Sequence, residues 1–242
     1  MKILVIRRYN VDEINNIAKK IKIIPTGSAS LDKLLEGGFR NYSIVEIYGA
    51  SGSGKTRLIH QLLLTASIKL VSENVYLIDN EGSFRPNVLE DIGSRFSQFN
   101  KDLLNRIYIS RPITVEQFIE ALQYLEALKA KFIAIDTLVT HLRHLTMKEY
   151  TSYLKEILLK LRSLANNGSF IIFTNQVTTK ENALLPVGSK MIDYVVDYKL
   201  NLERIENRIK CTIEKPLPKR SETFRITSKG FIGYSERIKY EI

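Results

Sequence analysis

From Ser43 onward the chain alternates short, almost continuously apolar runs with longer stretches in which apolar residues return every three or four positions. The runs are SIVEIY (43–48), VYLID (75–79), IYIS (107–110), FIAID (132–136) and FIIFT (170–174). Strands that are apolar on both faces belong in a parallel sheet covered by helices on each side, so the alternation predicts an α/β fold. Helices are predicted from Lys55 to about Ile68, from a Thr114/Gln117 capping box through Leu128, and from Lys148 to Ala165. Upstream, PTGSASLDKLLEGGF (25–39) reads as a short helix entered at Ser30 as N-cap and stopped by Gly37 and Gly38. After Asp193 the stretches YVVDYKL, RIKCTIE, TFRIT and GFIGY read as strands added antiparallel to one sheet edge. Residues 1–24 predict a basic arm or cap, with a short strand at Ile3–Ile6 and an amphipathic turn or two around Val11–Ile21. Residues 25–242 then form one domain, free of internal repeats, low-complexity tracts and long linkers.

Composition narrows the classes. The chain has 242 residues, 44% of them hydrophobic, enough for a full core. Thirty-six Lys and Arg against 26 Asp and Glu leave a formal charge of +10, whose long-range field attracts polyanions. One cysteine, Cys211, excludes an internal disulfide framework and a cysteine-based zinc site; it reads as a small buried hydrophobe in a protein of the reducing cytoplasm. The opening apolar run, MKILVI, meets arginines too soon for a signal peptide or a spanning helix, and no later stretch has membrane length. His60, His141 and His144 lack the neighbours of a metal set and read as structural or surface residues.

The chemistry concentrates where apolar runs end. Gly49, Ala50, Ser51, Gly52, Ser53, Gly54, Lys55 and Thr56 follow one run and open a helix, matching G-x-x-x-x-G-K-[ST]. In that pattern backbone N–H groups and a helix N-terminus hold phosphates, the lysine reaches the outer phosphates and the hydroxyl ligates Mg²⁺. Asp136 ends FIAID, at the carboxyl edge where ligands of parallel sheets bind, and is a candidate to hold Mg²⁺ through water. Asp79 and Glu81 occupy the same rim, and Glu81 is the candidate that orients or deprotonates an attacking water. Asn175 and Gln176 end the next run, where an amide could sense the last phosphate ahead of the loop TTKENALLPVGSK.

Taken together, these pieces resemble the RecA/RadA recombinase superfamily, and within it the short archaeal RadA paralogues, including RadB-like proteins. The resemblance is carried by TGSASLDKLLEGG (26–38), EIYGASGSGKTRLIHQL (46–62), YLIDNEGSFRP (76–86), IAIDTLVTHLR (133–143), IIFTNQV (171–177) and PVGSK (186–190). KPLPKRSETFRITSKGF (215–231) is similar to the closing segment of the family. The resemblance implies a RecA-like P-loop NTPase core: a mostly parallel central sheet flanked by helices, with antiparallel C-terminal strands. It implies ATP and Mg²⁺ as cofactors, Lys55 and Thr56 on phosphate and metal, Glu81 activating water and Asp136 as the second-strand acid. Gln176 would link phosphate state to the following loop, which in family members faces DNA.

Full recombinases of this kind carry a helical N-terminal DNA-binding domain and a linker whose phenylalanine motif docks on the next subunit. Residues 1–24 contain no Phe, and the stretches after THLR and between NQV and PVG look short, so neither a long self-filament nor strand exchange by this chain alone is expected. Asn87 and Val88 stand where the family often has an arginine near the adenine. Lys180 and Lys190 flank the loop and are the first candidates for DNA phosphates; Arg7, Arg8, Lys19, Lys20, Lys22 and KPLPKR come after them. The expected function is an ATP-binding RadA paralogue that binds single-stranded DNA, hydrolyses ATP slowly and assists or restrains a RadA-type recombinase in recombination and repair. The alternatives are an adaptor that docks on the recombinase without a DNA-coupled ATPase, and a KaiC-like signalling ATPase.

Overall fold

The computed structural model describes residues 20–180, 183–237 and 240, with the side chains of 179, 180, 183 and 184 left aside. The strand expected at Ile3–Ile6 and most of the basic arm, including Arg7, Arg8 and Lys19, lie outside these residues. In chain order the elements are β1 (Ile23–Ile24), α1 (Ala29–Leu34), β2 (Phe39–Arg40), β3 (Ser43–Tyr48), α2 (Lys55–Lys69), β4 (Val75–Asp79) and α3 (Pro86–Gly93). Next come β5 (Ile107–Ser110), α4 (Val115–Ala127), β6 (Phe132–Asp136), α5 (Met147–Asn166) and β7 (Phe170–Asn175). The chain continues with β8 (Val177–Lys180), β9 (Ala183–Pro186), α6 (Ser189–Ile192), β10 (Tyr198–Ile205), β11 (Arg208–Lys215), β12 (Arg220–Thr227) and β13 (Gly230–Gly233).

Nine strands form one sheet in the order β13-β12-β11-β10-β3-β7-β6-β4-β5. From β10 to β5 all neighbours are parallel, while β11, β12 and β13 add antiparallel beyond β10. Alternation along the central strands explains the two covered faces. Val45 and Ile47 of β3 join Ile172 of β7 and Ala134 of β6 beneath α2, whose Leu58, Leu62 and Ala66 complete that core. Ile44, Ile171, Phe173 and Ile135 turn the other way, onto Phe118 and Leu122 of α4 and Leu154, Ile157 and Leu161 of α5. Each such large side chain removed from water contributes about 1.5–3 kcal/mol, which is why the central strands can be apolar on both sides. Cys211 is fully buried in the first of these cores, and burial pushes its thiol up to about 12. No described helix is long and apolar enough to cross a membrane.

Four expectations require correction. The first C-terminal strand, β10, is parallel to β3: after β9 the chain returns along the α5 face, burying Ile192 and Val196, and re-enters the sheet beside Ile44. IYIS is not buried on both faces but is the edge strand β5, with Tyr108 and Ile109 exposed. Helix α1 is entered at Ser28, not Ser30, and no side chain within the helix caps it; the Glu236 carboxylate accepts from Ala29 N (2.8 Å) and from Ser28 Oγ (2.7 Å). At α4, Thr114 Oγ1 accepts from Gln117 N as expected, but Gln117 Oε1 accepts from Ile113 N, one residue short of a closed box.

Two buried polar residues of α2 generate measurable consequences. Gln61 ties the helix to both ends of the domain: its amide donates to Thr26 O (2.8 Å) and Phe231 O (3.1 Å), and its Oε1 accepts from Phe231 N (2.9 Å). Gln61→Leu leaves three backbone groups without this partner, and urea unfolding is expected to show a loss of about 3 kcal/mol; an unchanged midpoint would refute the assignment. His60 packs edge-on against Phe84 with ring centroids 5.5 Å apart, and burial holds its imidazole down at about 4. Between pH 6.5 and about 4 the unfolded chain therefore binds a proton that the folded chain refuses, so stability is present above this window and falls as pH drops through it. Stability measured against pH is expected to fall less steeply in His60→Leu than in the wild type across that range.

Candidate functional site

The loop between β3 and α2 has the backbone its glycines permit. A Cβ on Gly49 would lie 2.2 Å from the carbonyl oxygen of Leu202, and Gly54, at φ +95°, would place one 2.5 Å from Cδ1 of Ile226. Only glycine fits both places, and the result is a tight turn that delivers the first N–H groups of α2 to the carboxyl edge of the sheet. There the loop borders a cleft of about 580 Å³, within the usual size of a small-ligand site.

The cleft brings together most of the residues expected from the sequence. Gly49, Ala50, Ser51, Gly52, Gly54, Lys55 and Thr56 line it together with Glu81, Asp136 and Gln176. Lys55 Nζ donates to the carbonyls of Gly49 (2.8 Å) and Ala50 (3.0 Å). Burial lowers its pKa, while Asp136 and Glu81 oppose that shift. Thr56 Oγ1 donates to Asp136 Oδ2 at 2.7 Å, so a hydroxyl and a carboxylate oxygen are side by side, the hard-oxygen chemistry that Mg²⁺ requires. The helix N-terminus, a lysine ammonium and this oxygen pair fit a nucleotide triphosphate with its cation. Within the cleft, Gln176 Nε2 donates to Glu81 Oε1 at 2.7 Å, joining the end of β7 to the segment after β4.

Two expected residues are placed elsewhere. Ser53 lies beneath the loop, fully buried, and its hydroxyl has no hydrogen-bond partner among the described residues; it does not line the cleft. Asp79, although at the rim in sequence, turns inward to accept from Ser83 N (2.9 Å) and Phe84 N (3.1 Å) and to pair with Arg111 (3.1 Å), bracing the segment that carries Glu81. The stretch after Gln176, expected as a loop, is the antiparallel hairpin β8–β9, which pairs Val177 with Pro186 and Lys180 with Ala183. Lys180 ends β8, its side chain outside the description, while Lys190 is exposed on α6 beyond the hairpin.

Further neighbours complete the site. Ser83 Oγ and Thr174 Oγ1 donate to Asp136, and Arg143 Nη2 lies 3.9 Å from Glu81. Thr174 and Arg143 occur in the stretches FTNQV and THLR, yet nothing local in those stretches names the carboxylate each would meet. Glu46 of β3 is fully buried and accepts from Asn175 Nδ2 at 2.8 Å, a contact between strands that only their register creates.

The family described as Rad51 matches residues 17–234. The chain is 29% identical to a meiotic recombination protein DMC1/LIM15 homolog of Mus musculus over 88% of its own length and 70% of that protein. It is also 29% identical to DNA repair protein RAD51 homolog 1 of Arabidopsis thaliana, over 86% of its own length and 68% of that protein. With nearly the whole described fold and every element of the cleft inside the matched span, the chain belongs to the Rad51 family.

Proposed function

We propose that this chain is an ATP-binding RadA paralogue that binds single-stranded DNA, hydrolyses ATP slowly and modulates a full recombinase in homologous recombination and repair. One observation carries the reading: Lys55, Thr56, Glu81, Asp136 and Gln176 meet in one cleft, and Gln176, just after β7, leads directly into the β8–β9 hairpin. In this reading the N–H groups opening α2 and Lys55 bind the phosphates, and Thr56 and Asp136 hold Mg²⁺. The bound nucleotide supplies a phosphoanhydride whose cleavage the cation assists. Glu81 would accept the proton of the attacking water, and the Gln176 amide, which donates to Glu81, would be the group that answers to the outer phosphate and passes its presence to the base of the hairpin. Lys190, with Lys180, would neutralise DNA phosphates beside the hairpin, giving affinity without sequence preference.

A second reading, the adaptor that docks on the recombinase, is favoured by the edge strand β5. Its open backbone borders a groove of about 450 Å³ whose lining includes Tyr76, Tyr108, Ile109 and Tyr124. A strand carrying a phenylalanine could add there, with backbone hydrogen bonds for affinity and the groove for its side chain. The two readings separate in one experiment: ATP hydrolysis by the wild type and Glu81→Gln, with and without single-stranded DNA, at low and moderate salt. The expected result is turnover that DNA stimulates and that falls about 100-fold or more in the variant, with stimulation weakening as salt rises. Nucleotide binding without turnover and without response to DNA would select the adaptor, and phosphate transfer to a protein would overturn both.

A further inference from the structure

The reaction chemistry leaves unexplained a carboxylate buried inside the sheet beside the cleft, that of Glu46. Glu46 stands on β3 three residues before Gly49 and is fully buried. Its Oε1 accepts from Asn175 Nδ2 at 2.8 Å, and the same amide donates to Val187 O at 2.8 Å. Asn175 Oδ1 accepts from Gln176 N at 2.9 Å, while Val187 N donates back to Gln176 O at 3.0 Å. Its Oε2 has no hydrogen-bond partner among the described residues and lies 3.9 Å from Lys199 Nζ, which holds Asp193 Oδ1 at 2.6 Å. Val187 and Asp193 bound the segment by which the hairpin returns to the sheet, the segment that carries α6 and Lys190. Both of its ends are therefore held by groups that converge on Glu46.

We infer that Glu46 is a positioning residue that couples the nucleotide cleft to the hairpin: it holds Asn175 and Lys199, and through them the return segment, in register with the strand that delivers the phosphate loop. The inference rests on the reading of the cleft as an ATP site. A fully buried carboxylate is costly, and an apolar residue of similar size would fill the same space, so its presence here points to such an organising role. The site also has two states. Burial raises the Glu46 carboxyl to about 7, opposed by the Asn175 hydrogen bond and by Lys199 of β10 and reinforced by Asp193 after α6 and Glu214 of β11. Tyr48, on the same strand, donates to Glu214 at 2.9 Å. Above neutrality the ionised carboxylate attracts Lys199 and the latch is tight; below it the proton cancels that attraction and the latch loosens.

The test is hydrogen exchange of the amides of residues 177–193 in the full chain, with and without a non-hydrolysable ATP analogue and Mg²⁺, at pH 6 and pH 8, corrected for intrinsic exchange. Nucleotide binding is followed in the same samples by calorimetry. In the wild type, nucleotide is expected to slow exchange about fivefold or more, a usual size for coupling between sites, and more at pH 8 than at pH 6. Glu46→Leu, which fills the space but holds neither Asn175 nor Lys199, is expected to bind nucleotide with protection below about twofold. Glu46→Gln retains an acceptor for Asn175 but, being neutral, no attraction for Lys199, so it should restore protection to the wild-type level at pH 6 and show that level at both pH values. Wild-type protection in Glu46→Leu, or wild-type pH dependence in Glu46→Gln, overturns the inference; should the leucine variant not fold, the glutamine variant decides alone. Wild-type chain that binds nucleotide without protecting the hairpin overturns it too. Wild-type chain that binds no nucleotide instead removes the ATP reading and the coupling with it.

Discussion

Parallel pairing of β3 with β7, and of β7 with β6, is the constraint on which the rest of the molecule depends. Parallel strands end at a common edge, and three segments of chemistry meet there: the glycine loop after β3, Asp136 at the end of β6 and Gln176 just after β7. The hydrogen bonds from Thr56 and Thr174 to Asp136 exist because these strands stop level with one another. Register is held in turn by the two apolar faces, since a slip of one residue would turn Ile44 and Glu46 onto the α2 side and Val45 and Ile47 off it.

Charge is handled differently at the site and over the surface. Around the cleft each carboxylate has assigned partners: Asp79 has Arg111 and two backbone amides, Asp136 has three hydroxyls, and Glu81 has the Gln176 amide with Arg143 nearby. In low-dielectric surroundings such partners fix orientation more than they add stability. The excess of ten positive charges belongs to the chain as a whole and acts at long range, where about 8 Å of screening length at physiological salt limits it to attracting polyanions. Attraction and chemistry are thus separate functions of the same composition.

Membership of the Rad51 family joins these two halves. The family match spans both the cleft and the antiparallel strands β11 to β13, so the additions beyond β10 are part of the shared core and not an appendage. They also serve the loop, because Leu202 of β10 and Ile226 of β12 form the wall against which Gly49 and Gly54 fold. Glu236 and Gln61 then close the domain, the first binding α1 and the second binding β13 to α2.

Much of this was legible in consecutive residues. The strands at 75–79, 107–110 and 132–136 lie where the apolar runs place them, and the glycine loop could be recognised because its backbone conformation depends on the residues that form it. The strand-end positions of Asp136 and Gln176 followed from the same local pattern. Local pattern could not reveal that β10 runs parallel to β3, because an alternating strand reads alike in either direction and its partner depends on how the return segment packs against α5. Nor could it show that Asp79 braces a loop while Glu81, two residues on, faces the cleft, or that Ser53 is buried beneath its neighbours. The contact of Glu46 with Asn175 joins residues 129 positions apart. Propensity and periodicity act between near neighbours along the chain, whereas these pairings arise from side chains competing for one interior, and close packing in three dimensions settles that competition.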